Sequence, residues 1–285
     1  MNHARLLCML GTASIGLTAL DSRLVAVNRQ KPATDEKDRV LQVFLDEFVT
    51  LTPGKGRFPA SFRMGSAEKD APSSEKPAHT VTFERPFAVA KFEVTQELYE
   101  AVTGRNPSRW KGPRNSVEMV NWREAQEFCR KTTAELHERK LLPTGDRIGL
   151  PTEAEWEYAC RAGTTTRYSF GDSDELLKDY AWFKGNSKGE DPPVGKKKPN
   201  AWGLYDMHGY VWEWCQDGWR ENYEGAPSDG RAVEDKLAKE FVVRGGSWND
   251  GADSSRSAFR VHRAADIRSE TIGFRCVRYF DRASK

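Results

Sequence analysis

Hydrophobic positions along the chain change period several times, and each change marks an element. The stretch "VLQVFLDEFVTLTP" (40–53) fits a helical and a strand period equally well, so it predicts order without fixing the element type. "HTVTFERPFAVAKFEVT" (79–95) alternates and is rich in β-branched and aromatic residues, which predicts strands. Three helices carry start and stop signals. Thr95 precedes "QELYEAVTG" and Gly104 ends it. Asn121 caps "WREAQEFCRKTTAELHERK", with Glu124 placed to close the cap and Ala125, Phe128, Cys129, Thr132 and Leu136 on one face. Thr152 caps "EAEWEYACRAG", with Glu155 three residues on and Gly163 as the stop. Beyond Thr164 no strong helix follows, only short strand patterns such as "FVVRGG" and "IGFRCVRY" between long irregular segments. The class expected from this order is α+β, and no internal repeat is present.

Ahead of this, "MNHARLLCMLGTASIGLTAL" sets Arg5 before an apolar run too short to span a bilayer, which reads as a signal peptide. A mistaken start codon or a frayed helix is the competing reading. Residues 21–39 are polar and aperiodic, as a linker is, with order expected near Val40. The expected organisation is a targeting segment at 1–26, a linker at 27–45 and one domain at 46–281. No later stretch is long and apolar enough to cross a membrane, so no span is expected once the signal is removed. The implied location is exported, periplasmic or extracellular, with N-terminal anchoring as a variant. In such a compartment Cys129, Cys160, Cys215 and Cys276 become disulfide candidates.

Composition adds two points. The 285 residues include 44 basic and 42 acidic side chains, a balance that gives no reason to expect nucleic acid as a partner. Nine tryptophans with 23 glycines and 14 prolines predict a turn-rich fold pinned by large aromatics.

Six blocks then stand in order: "FRMGS" (62–66), "FEVTQELYEAV" (92–102), "GLPTEAEWEYACRAG" (149–163), "PNAWGLYDMHGYVWEWCQDGW" (199–219), "VVRGGSW" (242–248) and "GFRCVR" (273–278). Together they resemble the formylglycine-generating enzyme family, the sulfatase-modifying factor domain, from about Phe48 to Arg278. The resemblance implies a C-type-lectin-like fold poor in regular secondary structure. It also implies an activity, oxidation of a sulfatase cysteine by oxygen and copper held on two cysteines. Mapped onto this chain, those cysteine positions fall on Asp250 and on Ser255 or Ser254, and no cysteine stands between Cys215 and Cys276. Copper(I) needs soft thiolates, so copper is not expected here. Histidine-bound iron, used by a related sulfoxide synthase, finds no ligand spacing among His3, His79, His137, His208 and His262.

The resemblance also implies a structural calcium ion, with carboxylates from Asp206 and Glu213 and carbonyls from Gly209 and Val211. Tyr210 stands where the family has asparagine, and Trp182 takes the first position of a second family calcium site. The competing reading pairs Asp206 and Glu213 with arginines. A disulfide between Cys129 and Cys276 is implied in the same way, against two buried thiols.

The binding groove implied by the family falls on Ser247, Trp248, Asn249, Asp250, Ser255 and Arg256. Arg256, Arg260 and Arg263 either clamp an anion or pair with acids of the fold, the latter favoured for Arg260. Trp212 and Trp214 read as core, and Trp248 as a groove residue. Ser247 has no base placed for it in sequence, so no catalytic residue is assigned. The function expected is a binding or accessory module whose groove takes a peptide, glycan or protein partner. The alternative is an enzyme that modifies sulfatases or other exported proteins through a non-standard site.

Overall fold

The computed structural model describes residues 35–235 and 237–281. The expected targeting segment at 1–26 lies outside them, as does the first part of the expected linker. The rest of that linker is not a linker. Glu36–Asp46 is a helix (α1), capped by Asp35, and it buries Val40, Leu41 and Phe44 in the core. Its polar residues lie on the outer face of a single amphipathic turn pattern, which is why the segment reads as aperiodic when only its first residues are weighed. The ambiguous 40–53 stretch is both element types in succession, since strand β1 follows at Phe48–Leu51.

Two four-stranded sheets organise the rest. In the first, β1 and β10 (Val277–Tyr279) flank β4 (Phe87–Ala90), and β5 (Arg147–Gly149) completes the antiparallel order β1-β4-β10-β5. In the second, β8 (Arg260–Ala264), β7 (Glu240–Arg244), β6 (Trp212–Gly218) and β9 (Ile272–Gly273) lie in that order, with only β6 and β9 parallel. β2 (Ser61–Met64) and β3 (His79–Thr82) form a separate hairpin. The edge of β5 is closed by a side chain: the Thr133 hydroxyl accepts from Ile148 N at 2.9 Å and meets Ile148 O at 3.3 Å. A strand edge blunted in this way offers no template for another chain.

The capped helices form where their signals place them. α2 (Gln96–Thr103) ends on Gly104 in the left-handed region. α3 (Trp122–Glu138) carries the full capping box of Asn121 and Glu124 and buries the five residues expected. α4 (Glu153–Arg161) has the box of Thr152 and Glu155. Among the described residues a short α5 (Leu177–Tyr180) is all the helix that follows, apart from single 3-10 turns. α1, α2 and α3 pack on one core with Trp212, Trp214 and Phe274, while α4 packs Trp156 and Tyr158 into a second with Trp202 and Val242.

α4 is buried on every side, including Glu153, Glu155, Glu157 and Arg161. Charges so placed need partners, and arginines from 244–260 supply them to Glu153 and Glu157. Arg244 reaches Glu157 at 2.5 Å and the carbonyls of Ser257, Ala258 and Phe259. Arg260 grips Glu153 with both sides of its fork, at 2.6 and 2.9 Å. The structural reading of Arg260 therefore holds.

Candidate functional site

The loop after β7 leaves the sheet through Gly245 and Gly246, both with positive φ. A Cβ on Gly246 would lie 3.0 Å from Ser254 O, so the second glycine lets the two ends of the loop meet. Ser247 follows, fully buried, and its hydroxyl hydrogen-bonds the Asp250 carboxylate. The indole N–H of Trp212 donates to the same oxygen, Oδ2, at 2.8 Å. Asp250 is thus fixed from two sides, and among the described residues its Oδ1 takes no hydrogen bond. Trp248 is half-buried, with its backbone N–H on Tyr210 O at 2.9 Å, and Asn249 is exposed.

Three of the six expected groove residues do not face it. Ser247 and Ser255 are fully buried. Ser255 is turned inward because its carbonyl takes the Nδ1 proton of His208 at 2.8 Å. Arg256 forms a two-pronged ion pair with buried Glu75, 2.8 Å on each side, so it is not available to clamp an anion. The partner lies 181 positions earlier in the chain, beyond the reach of spacing arguments. Of the expected groove residues, Trp248, Asn249 and Asp250 stay open. His208 is a structural imidazole: burial pushes it down to about 4, and its Nε2 accepts from Ser169 N at 3.1 Å.

Below this loop lies the expected calcium turn. Asp206 adopts a left-handed conformation, and Gly209 is required because a Cβ there would stand 2.4 Å from Trp182 O. Glu213 is fully buried and takes three donors, Arg275 at 2.6 and 2.7 Å and the Trp156 indole at 2.8 Å. The arginine-pairing alternative therefore holds for Glu213, which keeps one lone pair on Oε1. It does not hold for Asp206, where Oδ2 accepts from Gly195 N at 2.7 Å and buried Oδ1 has no partner among the described residues.

A residue that the sequence motifs did not flag completes the cluster. Glu93 is buried, and neither of its carboxylate oxygens has a hydrogen-bond partner among the described residues. Its nearest cation is Arg275, at 3.9 Å. Burial, then the charge of Asp206, pushes the Glu93 carboxyl well above the usual carboxylate range. The only sequence signal is a lone acid between Phe92 and Val94, two residues after Lys91. Three buried carboxylates thus face one guanidinium, leaving two unbalanced negative charges when all are ionised. Among the described residues no three acid, imidazole or thiol side chains converge as a ready ligand set. An ion here would draw on Asp206 and Glu93, the spare lone pair of Glu213 and the carbonyls of Gly209 and Val211. The donor set is hard oxygen and fits calcium.

Tyr210, in the place of the family asparagine, sends its hydroxyl to Asp191 Oδ1 at 2.7 Å and to Pro192 O at 2.6 Å, tying down the segment before the turn. Cys129 and Cys276 are neighbours, Sγ to Sγ 3.9 Å, and are two buried thiols here, not the bonded pair expected. Trp212 and Trp214 are core, as expected.

The sulfatase-modifying factor enzyme 1-like domain model matches residues 41–280. The chain is 27% identical to the chaperone protein LppX of Paenibacillus barcinonensis, over 67% of this chain and 80% of that one. It is 29% identical to the inactive C-alpha-formylglycine-generating enzyme 2 of Bos taurus, over 75% of this chain and 84% of that one. Among solved structures, PvdO from Pseudomonas aeruginosa superposes with a TM-score of 0.70 at 32% identity, over 82% of this chain and 94% of that one. The fold is α+β, as the order of elements predicts, and it is shared with PvdO.

Proposed function

The chain belongs to the sulfatase-modifying factor enzyme 1-like family, and from that premise we propose that it is an exported binding or accessory member without the copper oxidase chemistry. Its groove takes a peptide, glycan or protein partner. One observation carries the reading: where the family's first copper cysteine would stand, Asp250 is locked by Ser247 and Trp212. A carboxylate is a hard ligand and does not replace a thiolate toward copper(I). Its Oδ1, which takes no hydrogen bond among the described residues, suits an N–H or O–H donor on a ligand. The relatives named as a chaperone and as an inactive enzyme support a non-oxidising role. Among the described residues no helix is long and apolar enough to cross a membrane.

Incubation of the purified protein with copper, oxygen and a sulfatase-motif peptide tests this directly. Mass spectrometry is expected to recover the peptide cysteine unchanged. Conversion to formylglycine would overturn the proposal.

The same reading includes a structural calcium ion in the Asp206–Glu213 turn. It would supply two positive charges to a buried cluster that lacks them, while the chain's own acids and carbonyls hold the turn in shape. Removing calcium with a chelator is expected to lower the melting temperature by a few degrees, since a ligand bound only by the folded state stabilises it. Glu93→Gln should abolish most of that difference. An identical melting temperature with and without the ion removes calcium from the account. In the exported setting Cys129 and Cys276 are also proposed to close into a disulfide, detectable as a loss of two titratable thiols in the denatured protein.

A further inference from the structure

A cavity of about 800 Å³ shares no lining residue with the groove or the calcium turn. It lies between the end of the β4–β10–β5 sheet and the 229–234 segment, and its volume is in the range of small-molecule sites. Its lining includes exposed Glu84, Arg85, Glu234 and the Asp229–Arg231 pair, and half-buried Asp281; the charged groups set on regular elements are Glu155 on α4 and Arg147 on β5. Glu155 is 7% exposed, and its Oε2 is held by Thr152 N and the Tyr279 hydroxyl, both at 2.8 Å. Oε1 takes no hydrogen bond among the described residues. It is also not among the fully enclosed unpaired atoms, so it opens on the cavity. Burial raises the Glu155 carboxyl to about 7, the expected consequence of an acid denied a cationic partner in contact.

Arg147 stands on the wall. Its guanidinium lies 3.8 Å from the centre of the Tyr279 ring and makes no ion pair or hydrogen bond among the described residues. Its charge is nonetheless felt at Glu155, whose carboxyl it lowers. The Gln216 side-chain amide, also on the lining, is unengaged among the described residues. The apolar walls are Phe83 and Phe87.

We propose that this cavity is a second binding site, for an α-amino acid zwitterion: Arg147 receives the carboxylate, Glu155 with Gln216 receives the ammonium, and an apolar side chain lies against Phe83 and Phe87. The pair of charged groups fixed on α4 and β5 points to the class. A simple anion suits Arg147 and is repelled by Glu155, and a simple cation meets the reverse. A ligand with both signs on adjacent atoms satisfies both, and the charge-assisted bonds are the strong ones. The site owes nothing to the family groove, so it stands or falls separately from the function proposed above.

The test is calorimetric titration of the whole protein with leucine and phenylalanine at millimolar concentration. Phenylalanine amide carries the ammonium alone and N-acetylphenylalanine the carboxylate alone. The zwitterions are expected to bind, and each singly charged analogue to bind at least about tenfold more weakly, the cost of one lost charge-assisted contact. Glu155→Gln also disturbs the cap of α4, so the deciding variant is Arg147→Gln on the exposed wall. It should fold normally, lose about tenfold in affinity for phenylalanine, and no longer distinguish phenylalanine from its amide. Absence of heat with the unmodified protein overturns the proposal. So do equal affinities for phenylalanine and its amide, or an Arg147→Gln titration identical to that of the parent.

Discussion

Arg275→Met is expected to destabilise the fold by about 3–5 kcal/mol, the range seen when one partner of a buried ion pair is removed. Arg275 is fully buried and serves five acceptors. It holds Glu213 in a fork and reaches the carbonyls of Ala90, Lys91 and Tyr205. Methionine fills much of the stem volume, so the loss comes from charge and hydrogen bonds, not from a void. Without the guanidinium, Glu213, Glu93 and Asp206 face one another with no cation in contact. Two responses separate this account from a packing defect. The double variant with Glu213→Gln should recover part of the loss, because it removes the orphaned charge. Calcium should stabilise the single variant more than it stabilises the parent, since it then supplies the only compensating charge. Denaturant midpoints read both effects. A loss below about 1 kcal/mol would mean that the pair contributes no more than a surface bridge, and the cluster would need another explanation.

The elements that the sequence made legible are those governed by local rules. Thr95, Asn121 and Thr152 cap their helices as their positions foretell, because a cap needs only a side chain and the N–H groups two or three residues on. β3, β4 and β7 also form where strand-like runs predict them, although β4 and most of β7 are buried on both faces and do not alternate. What stayed hidden depends on pairings across the chain. Arg256 looked like an anion clamp because its acid, Glu75, is remote in sequence. Glu93 looked like a strand residue, and only the fold brings it beside Arg275 and Asp206. α1 was hidden for a different reason, since its apolar stripe starts one turn inside a polar segment and gives way at once to β1.

The segment 244–260 joins these two kinds of information. Its arginines are fold residues: Arg244 and Arg260 neutralise α4, and Arg256 neutralises Glu75. Their fixed ends leave the intervening loop little freedom, and the two glycines let it double back on itself. A scaffold of this kind keeps its shape whatever stands at Asp250. The residue there can therefore change from thiolate to carboxylate, and the site's chemistry with it, while the fold persists.

The stability of the protein is expected to fall as the pH rises from about 4 to about 7, in the part contributed by Asp217. This acid is buried, and its two oxygens accept from Glu153 N at 2.7 Å and Val233 N at 2.8 Å. Burial first, and then the charge of Glu153, raises its carboxyl to about 7. In the unfolded chain an aspartate titrates near 3.9. The folded state therefore binds the proton more tightly, and the contribution is fully present below the unfolded value and lost as the pH passes through the folded one. At 1.36 kcal/mol for each pH unit, the full swing is on the order of 4 kcal/mol. Asp217→Asn should remove this slope, so the parent-minus-variant difference in unfolding free energy should shrink between those pH values. At acid pH the variant is the weaker, because an amide has one oxygen for two backbone donors and turns its NH2 toward the other. Parallel curves for the two proteins would show that Asp217 stays ionised throughout. The consequence reaches beyond stability. Val233 N is the anchor of the segment walling the large cavity, and Glu153 N that of the helix start that carries Glu155. Ionisation of Asp217 makes these two N–H bonds charge-assisted, so local protection of the Val233 amide against hydrogen exchange should hold over the same pH interval, once corrected for the intrinsic exchange rate, even as global stability falls.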